Sequence, residues 1–385
     1  MSRLVLGSLA LLLALPAVPA AAHAPAPDTP ERAAFPKLKA TRLVTGLDHP
    51  WDVRPIGDGR LIFTERDRRT VSIWEDGTKR KVRNFPSKSI WAPGGETGLM
   101  GLDIDDEFAS NRVFYTCQGG FLGGGRHDVR VMRWKLDESL RRVVARKKLI
   151  GGFPTSSGRH GGCRVLTVGE RLYVGTGDAA VGRHPRDKKS LGGKTLCLLA
   201  RSGKPCPSNP FVRAANRNKR FVFTYGHRNV QGLDRRRDGT LWSVEQGSTR
   251  DDEVNRLRKG GDYGWHPVPG YNESVPMTDQ SLPGKQYAAV WRSGRTTIAT
   301  SGGGFVHGDR LGRYDGAFAV AAQKGQRVLF LTLSKAGRLR NVKVPGELRR
   351  FGRIRTVVDG PGSVFYLTTD NGGGRDAIIA VRPRG

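Results

Sequence analysis

One small unit recurs along this chain and limits its fold more than any other feature. It is a Gly-centred turn, a short β-rich run, a polar residue near the run's end, then a second strand. It appears as Asp58-Gly59-Arg60-Leu61-Ile62-Phe63-Thr64-Glu65, with Val71-Ser72-Ile73-Trp74 after it. It returns as Gly169-Glu170-Arg171-Leu172-Tyr173-Val174-Gly175-Thr176-Gly177-Asp178 and as Asp238-Gly239-Thr240-Leu241-Trp242-Ser243-Val244-Glu245. The last copy runs from Gly360 through Val364-Phe365-Tyr366-Leu367-Thr368-Thr369-Asp370, with Ile378-Ile379-Ala380-Val381 following. Gly turns between such runs make hairpins and meanders. Further strands are expected at 113–117, 129–134, 221–225, 318–322 and 328–333.

No long amphipathic stretch of helical period stands out. The 52 glycines among 385 residues are about double the usual share and would break long helices. Hydrophobic residues are 37% of the chain, which excludes a disordered tail. The pattern predicts an all-β fold, a six-bladed β-propeller of four-stranded antiparallel blades. Roughly 350 mature residues give six blades of about 60, longer than the minimal repeat, so long loops are expected. A pair of β-sandwiches is the alternative. In a propeller the loops gather at the channel mouth, so a site draws residues from blades far apart in sequence.

The first residues read as a targeting segment. Arg3 precedes an apolar run over 4–18, and Ala20, Ala21, Ala22 and Ala24 follow. A positive start, a short apolar stretch and a small-residue exit describe a secretory signal. The run is shorter than the ~20 residues of a membrane span, although an uncleaved anchor is the competing reading. The expected layout is a signal peptide over 1–24, a flexible leader over 25–39 and the propeller over 40–385. No later stretch could span a membrane, so a secreted or extracytoplasmic protein is expected.

Export bears on the cysteines and the charge. Cys117, Cys163, Cys197 and Cys206 form no CxxC pair, which disfavours zinc. An even count in an oxidising compartment favours disulfides over free thiols. Cys197 and Cys206 flank a turn and could staple it, leaving Cys117 with Cys163. The net charge is +30, yet its arginines are scattered, with no basic tail and no aromatic RNA-binding pattern. Nucleic acid is therefore not an expected partner. Acidic cell-surface polymers or anionic ligands suit a secreted basic protein better, and a merely solubilising surface suits it as well.

Four polar stretches fall in the expected loops. His160 sits in Gly158-Arg159-His160-Gly161-Gly162-Cys163, on closely approachable backbone, where an imidazole can act as a general base. Gly226-His227-Arg228-Asn229-Val230-Gln231-Gly232 follows a strand and offers an always-charged guanidinium to an oxyanion. Glu245-Gln246-Gly247-Ser248-Thr249-Arg250-Asp251-Asp252-Glu253 places four carboxylates in nine residues. Such a loop suits a hard cation without EF-hand spacing, or local pairing with arginines. Lys324 follows the strand expected at 318–322. Arg353 and Arg355 alternate around Ile354, which puts both on one strand face. Converging, these three cations would bind a polyanion.

These stretches, with Pro50-Trp51, Glu96-Thr97-Gly98-Leu99-Met100-Gly101-Leu102, Asp252-Glu253-Val254-Asn255 and Gly261-Asp262-Tyr263-Gly264-Trp265, stand in a specific order. In that order the chain resembles the soluble glucose/sorbosone (aldose sugar) dehydrogenases that depend on pyrroloquinoline quinone (PQQ). The resemblance covers nearly the whole mature chain. It implies a six-bladed propeller with PQQ over the channel mouth, calcium ions, an aldose substrate and an external electron acceptor. His160 matches the general base at the sugar's anomeric hydroxyl, and Arg228 the residue that stabilises developing negative charge on the quinone. Asn229 and Gln246 match cofactor and metal-site positions, and Thr297 a further cofactor contact. Lys324, Arg353 and Arg355 match the cations on the cofactor's carboxylates. Glu96 stands near the sugar. The carbonyls of Gly247 and Ser248 match the calcium ligands, and Glu253 and Tyr263 a second, structural calcium site.

The chain departs from the family in places. Arg159 stands where some members have Asp, Cys163 replaces a common Gly, and Ser248 stands where Pro is frequent. These departures bear on substrate choice more than on cofactor binding. A non-catalytic carbohydrate- or protein-binding propeller is the alternative function, and a calcium-dependent hydrolase a third.

Overall fold

Six four-stranded antiparallel sheets make up the computed structural model, which describes residues 34–384. The signal segment and most of the expected leader lie outside the described residues. Each sheet is a meander. The first holds Pro50–Pro55, Leu61–Glu65, Thr70–Glu75 and Thr78–Lys81, in that spatial order. The next four begin with Leu99–Ile104, Gly162–Val168, Val230–Arg235 and Thr300–Phe305 and follow the same order. These first strands neighbour one another in a ring, which the inner strand Ile354–Asp359 completes. The expected six-bladed propeller is the observed fold.

The sixth sheet explains how the ring closes. Its order places Leu38–Leu47 outermost, beside Asp376–Pro383, with Leu38 opposite Pro383 and Leu47 opposite Asp376. The first and last strands of the described residues thus share one sheet. Leu38 and Lys39, assigned to the leader from sequence, belong to this strand. The strand needs no apolar alternation to hold, because seven register pairs supply its backbone partners.

Burial and buried polar latches fix the blades. Apolar layers lie between neighbouring sheets: Val129 and Val131 pack with Val165, Leu172 and Val174 of the next blade. Carboxylates on inner strands then bond the adjacent blade. Asp52 accepts from Leu102 N at 3.0 Å, Asp103 from Thr167 N at 2.6 Å, and Asp234 from Phe305 N at 2.6 Å. Such buried acceptors are retained because each has a donor. Both expected disulfides form. Cys117–Cys163 joins the second blade to the inner strand of the third, and Cys197–Cys206 closes the turn at 201–205. No helix among the described residues is long and apolar enough to cross a membrane.

Candidate active site

His160 ends the loop that leads into the inner strand Gly162–Val168. Its backbone is left-handed, with φ of 50°, a conformation uncommon outside glycine. A Cβ on Gly177 would run into the His160 carbonyl, so only glycine fits beside it. The ring is buried, not solvated as loop histidines usually are. Its Nδ1 lies 2.8 Å from Asp178 Oδ1. Asp178 Oδ2 in turn accepts from Trp265 Nε1 and from the Tyr271 hydroxyl, both at 2.8 Å. An ionised carboxylate only accepts, so Nδ1 carries a ring proton, and in the neutral ring the lone pair is on Nε2. Nε2 has no hydrogen-bond partner among the described residues.

Arg228 stands on the next blade, just before the strand Val230–Arg235. Its Nη1 donates to the Gln246 carbonyl at 3.1 Å and its Nη2 to Glu273 Oε1 at 2.6 Å. Burial opposes its charge, but Tyr271, Asp178 and Glu273 outweigh burial and raise its pKa. Asn229 spans two loops: its Nδ2 donates to Glu96 Oε2 at 2.9 Å and its Oδ1 accepts from Gly162 N at 3.1 Å. Gln246 N donates to the Asn229 carbonyl at 3.2 Å. The structure thus brings His160, Arg228, Asn229, Gln246 and Glu96 to one end of the ring.

Two of the three expected cations, Arg353 and Arg355, gather around a residue the sequence reading left without a role. Asp370 accepts from Arg355 Nη2 at 2.7 Å, and its carbonyl accepts from Arg353 Nε at 3.1 Å. Gln323, the neighbour of Lys324, also reaches the Asp370 carboxylate, as does His49 Nδ1 at 2.6 Å. Burial alone would raise the pKa of Asp370, but Arg355, His49 and Arg66 hold it well below the usual carboxylate range. Arg355 is buried on its strand, while Arg353 precedes the strand and is 45% exposed. Lys324 is exposed at the turn after Phe318–Ala322.

The acidic loop divides in two. Asp252 organises its upper part: it accepts from Gly247 N, Thr297 Oγ1 and Ile298 N at 2.7–2.9 Å. The Thr297 hydroxyl also accepts from Ala299 N, so its local role is to hold this loop. The carbonyls of Gly247 and Ser248 accept no hydrogen bond among the described residues. Glu253 lies lower, paired across strands with Glu245. Burial and the Glu245 charge push its pKa up to about 8. The Tyr263 hydroxyl is occupied by the backbone of Arg256 and Arg258. No group of three or more His, Cys, Asp or Glu side chains is arranged as a metal site among the described residues. A cation at this mouth would therefore rest on backbone carbonyls.

One observation tests whether a polyanionic cofactor with its cation fits here. Arg228 Nε, Arg355 Nε and Ser248 Oγ are among the buried side-chain atoms that have no hydrogen-bond partner among the described residues. Unmade hydrogen bonds of this kind are costly, and these three belong to residues of the expected cofactor and calcium sites. The residues fit the group. Sequence reasoning missed Asp178, Tyr271, Glu273 and Asp370 as working parts. A signal existed for two of them. The acidic residues that close the repeats, Glu65, Asp178, Glu245 and Asp370, are all buried in the structure.

Known proteins share this architecture. The Glucose / Sorbosone dehydrogenase family matches residues 47–380. The aldose sugar dehydrogenase of Escherichia coli strain K12 is 25% identical over 347 residues, covering 88% of this chain and 91% of that protein. Quinoprotein glucose dehydrogenase B of Acinetobacter calcoaceticus is 27% identical over 304 residues, 71% of this chain and 62% of that protein. The PQQ-bound aldose sugar dehydrogenase of Streptomyces coelicolor is 26% identical, with a TM-score of 0.72 over 91% of this chain and 100% of that one. With the match spanning nearly the whole propeller, the chain belongs to the glucose/sorbosone dehydrogenase family.

Proposed function

We propose that this chain is an exported, PQQ-dependent aldose dehydrogenase that oxidises the anomeric carbon of a sugar to the lactone. The observation that carries this reading is the buried His160, oriented by Asp178 with Nε2 unpartnered, on the same mouth as the partnerless Nε of Arg228. The proposal of export draws on the N-terminal sequence alone.

Oxidising the anomeric C–H and O–H to a carbonyl releases two electrons and two protons. His160 Nε2 takes the hydroxyl proton, and Asp178 stabilises the imidazolium that forms. The electron acceptor would be bound PQQ, whose quinone chemistry would take up the electron pair with one proton as hydride, with calcium as Lewis acid and an external acceptor as the final sink. Arg228 offers its free Nε to negative charge that develops in the reaction, a preorganised donor in a buried setting. Arg355, Arg353 and Lys324 would hold the cofactor's carboxylates, with Asn229, Gln246 and Thr297 around it. Gly247 and Ser248 would give carbonyl oxygens to calcium, and Glu253 would give the carboxylate of a second, structural ion beside Tyr263, whose hydroxyl is already hydrogen-bonded. Glu96 would accept a hydrogen bond from a sugar hydroxyl.

Reconstitution tests the reading. The signal-free protein is mixed with PQQ and calcium, and the cofactor's absorption is followed while aldoses are added. Tight binding and bleaching by a sugar are expected. Failure to bind the cofactor would overturn the proposal.

A further inference from the structure

We propose that Glu273 is a charge gate that selects neutral aldoses over sugar acids, an inference that rests on the dehydrogenase reading above. Glu273 comes from the long connection 258–290 between the strands Glu253–Leu257 and Trp291–Arg292. Two residues earlier, Tyr271 bonds Asp178 and lies 3.0 Å from His160 Nδ1, which pins this segment beside the base. Glu273 Oε1 then sits 2.6 Å from Arg228 Nη2 and 3.7 Å from Arg159 Nη2.

The chemistry of this trio is specific. Arg228 is nearly fully buried, Glu273 is 35% exposed and Arg159 more so. Without Glu273, the guanidiniums of Arg228 and Arg159 would lose the carboxylate that they share. In a protein of net charge +30 that pair would capture carboxylates, because guanidinium pairs carboxylate with strong charge-assisted bonds. Glu273 occupies both. A neutral sugar meets a carboxylate that can accept from its hydroxyls. A uronic acid meets a like charge and two arginines whose Nη2 groups already face Glu273. This is selection by a repulsive element as well as an attractive one. A wholly exposed ion pair would count for little, but the Arg228 end is buried and poorly screened.

Glu273→Gln keeps the shape and removes the charge. The readout is the ratio of kcat/KM for glucuronate to that for glucose in the reconstituted enzyme. We expect the ratio to rise about tenfold or more, since like-charge contacts are among the stronger discriminating effects at binding sites. Adding Arg159→Gln should reverse most of the gain. An unchanged ratio, or equal loss on both sugars, overturns the gate and marks Glu273 as structural. Calorimetry of glucuronate binding to the cofactor-free protein gives a second readout. Stronger binding to Glu273→Gln than to wild type supports the gate even if no sugar bleaches the cofactor, an outcome that would sink the dehydrogenase reading instead. Equal binding to both proteins overturns it.

Discussion

Two buried histidines, His160 and His227, stand on adjacent blades and look alike in sequence, each beside glycine. Both place Nδ1 on a carboxylate, Asp178 at 2.8 Å and Glu245 at 2.5 Å. They differ at the other nitrogen. His227 Nε2 meets the Thr224 hydroxyl at 2.7 Å, and its ring stacks on Tyr263 at 4.6 Å. His160 Nε2 has no partner among the described residues. A histidine with both nitrogens satisfied and a stacked face is a bolt. One with a carboxylate behind it and a lone pair in front is a base.

This contrast is open to a direct break. His160→Ala should bind PQQ yet lose about 10²–10⁴-fold in turnover, the usual worth of a positioned general base. Full activity would end its role as the base. His227→Ala should act on stability instead. It removes one of the donors to Glu245, which Arg228 N and Asn255 Nδ2 also serve, and leaving a buried acceptor short of a partner costs about 1–3 kcal/mol, measurable by urea unfolding. A normal melting curve with dead catalysis would exchange the two roles.

Asp178→Asn is the next largest effect. An amide no longer selects the tautomer that frees Nε2, and in a comparable carboxylate–histidine pair that change costs orders of magnitude. We expect about a 100-fold loss of turnover or more, with cofactor affinity retained. A loss confined to KM would mean that Asp178 shapes the pocket without orienting the base.

The scaffold beneath His227 should answer to pH. Lys194 is buried and donates to the carbonyls of His184, Pro185 and Gly192 at 2.6–2.9 Å. Gly193 in turn accepts from His227 N. Burial pulls the Lys194 pKa down to about 7. In the unfolded chain a lysine holds its proton to about pH 10.4. Between these values the unfolded state binds more protons, so stability rises with pH from near 7 upward and is lost as pH falls through the folded pKa. Lys194→Met should flatten that slope in unfolding measured from pH 7 to pH 9. An unchanged slope would assign the pH dependence to other groups.

Much of the fold was legible because its signals are local. Gly turns between short apolar strands sit within ten or so residues of each other, about the span of a hairpin. Ring closure was not legible, because Leu38–Leu47 pairs with Asp376–Pro383 from the far end of the chain and has a mixed burial pattern. The site divides in the same way. His160 and Arg228 announce themselves through flanking glycines. Asp178 and Asp370 lay in view as ends of repeats, but no pattern linked them to His160 and Arg355, 18 and 15 residues away, and His49 is 321 residues from Asp370. Tyr271 and Glu273 sit in a long connection with no periodicity to place them.

Tyr271 supplies the finest test of the contrast between the two histidines. Its hydroxyl is one of two donors to Asp178 Oδ2, and Trp265 Nε1 is the other. Tyr271→Phe removes one donor and leaves the Asp178–His160 contact intact. A hydrogen bond to a charged group contributes about 1.5 kcal/mol, so turnover should fall roughly tenfold, well short of the Asp178→Asn loss. KM should move too, because Tyr271 anchors the segment that carries Glu273 to Arg228. If Tyr271→Phe instead proved as severe as His160→Ala, the phenol would be handling the proton itself, and the base would be a His–Tyr pair rather than a histidine held by a carboxylate.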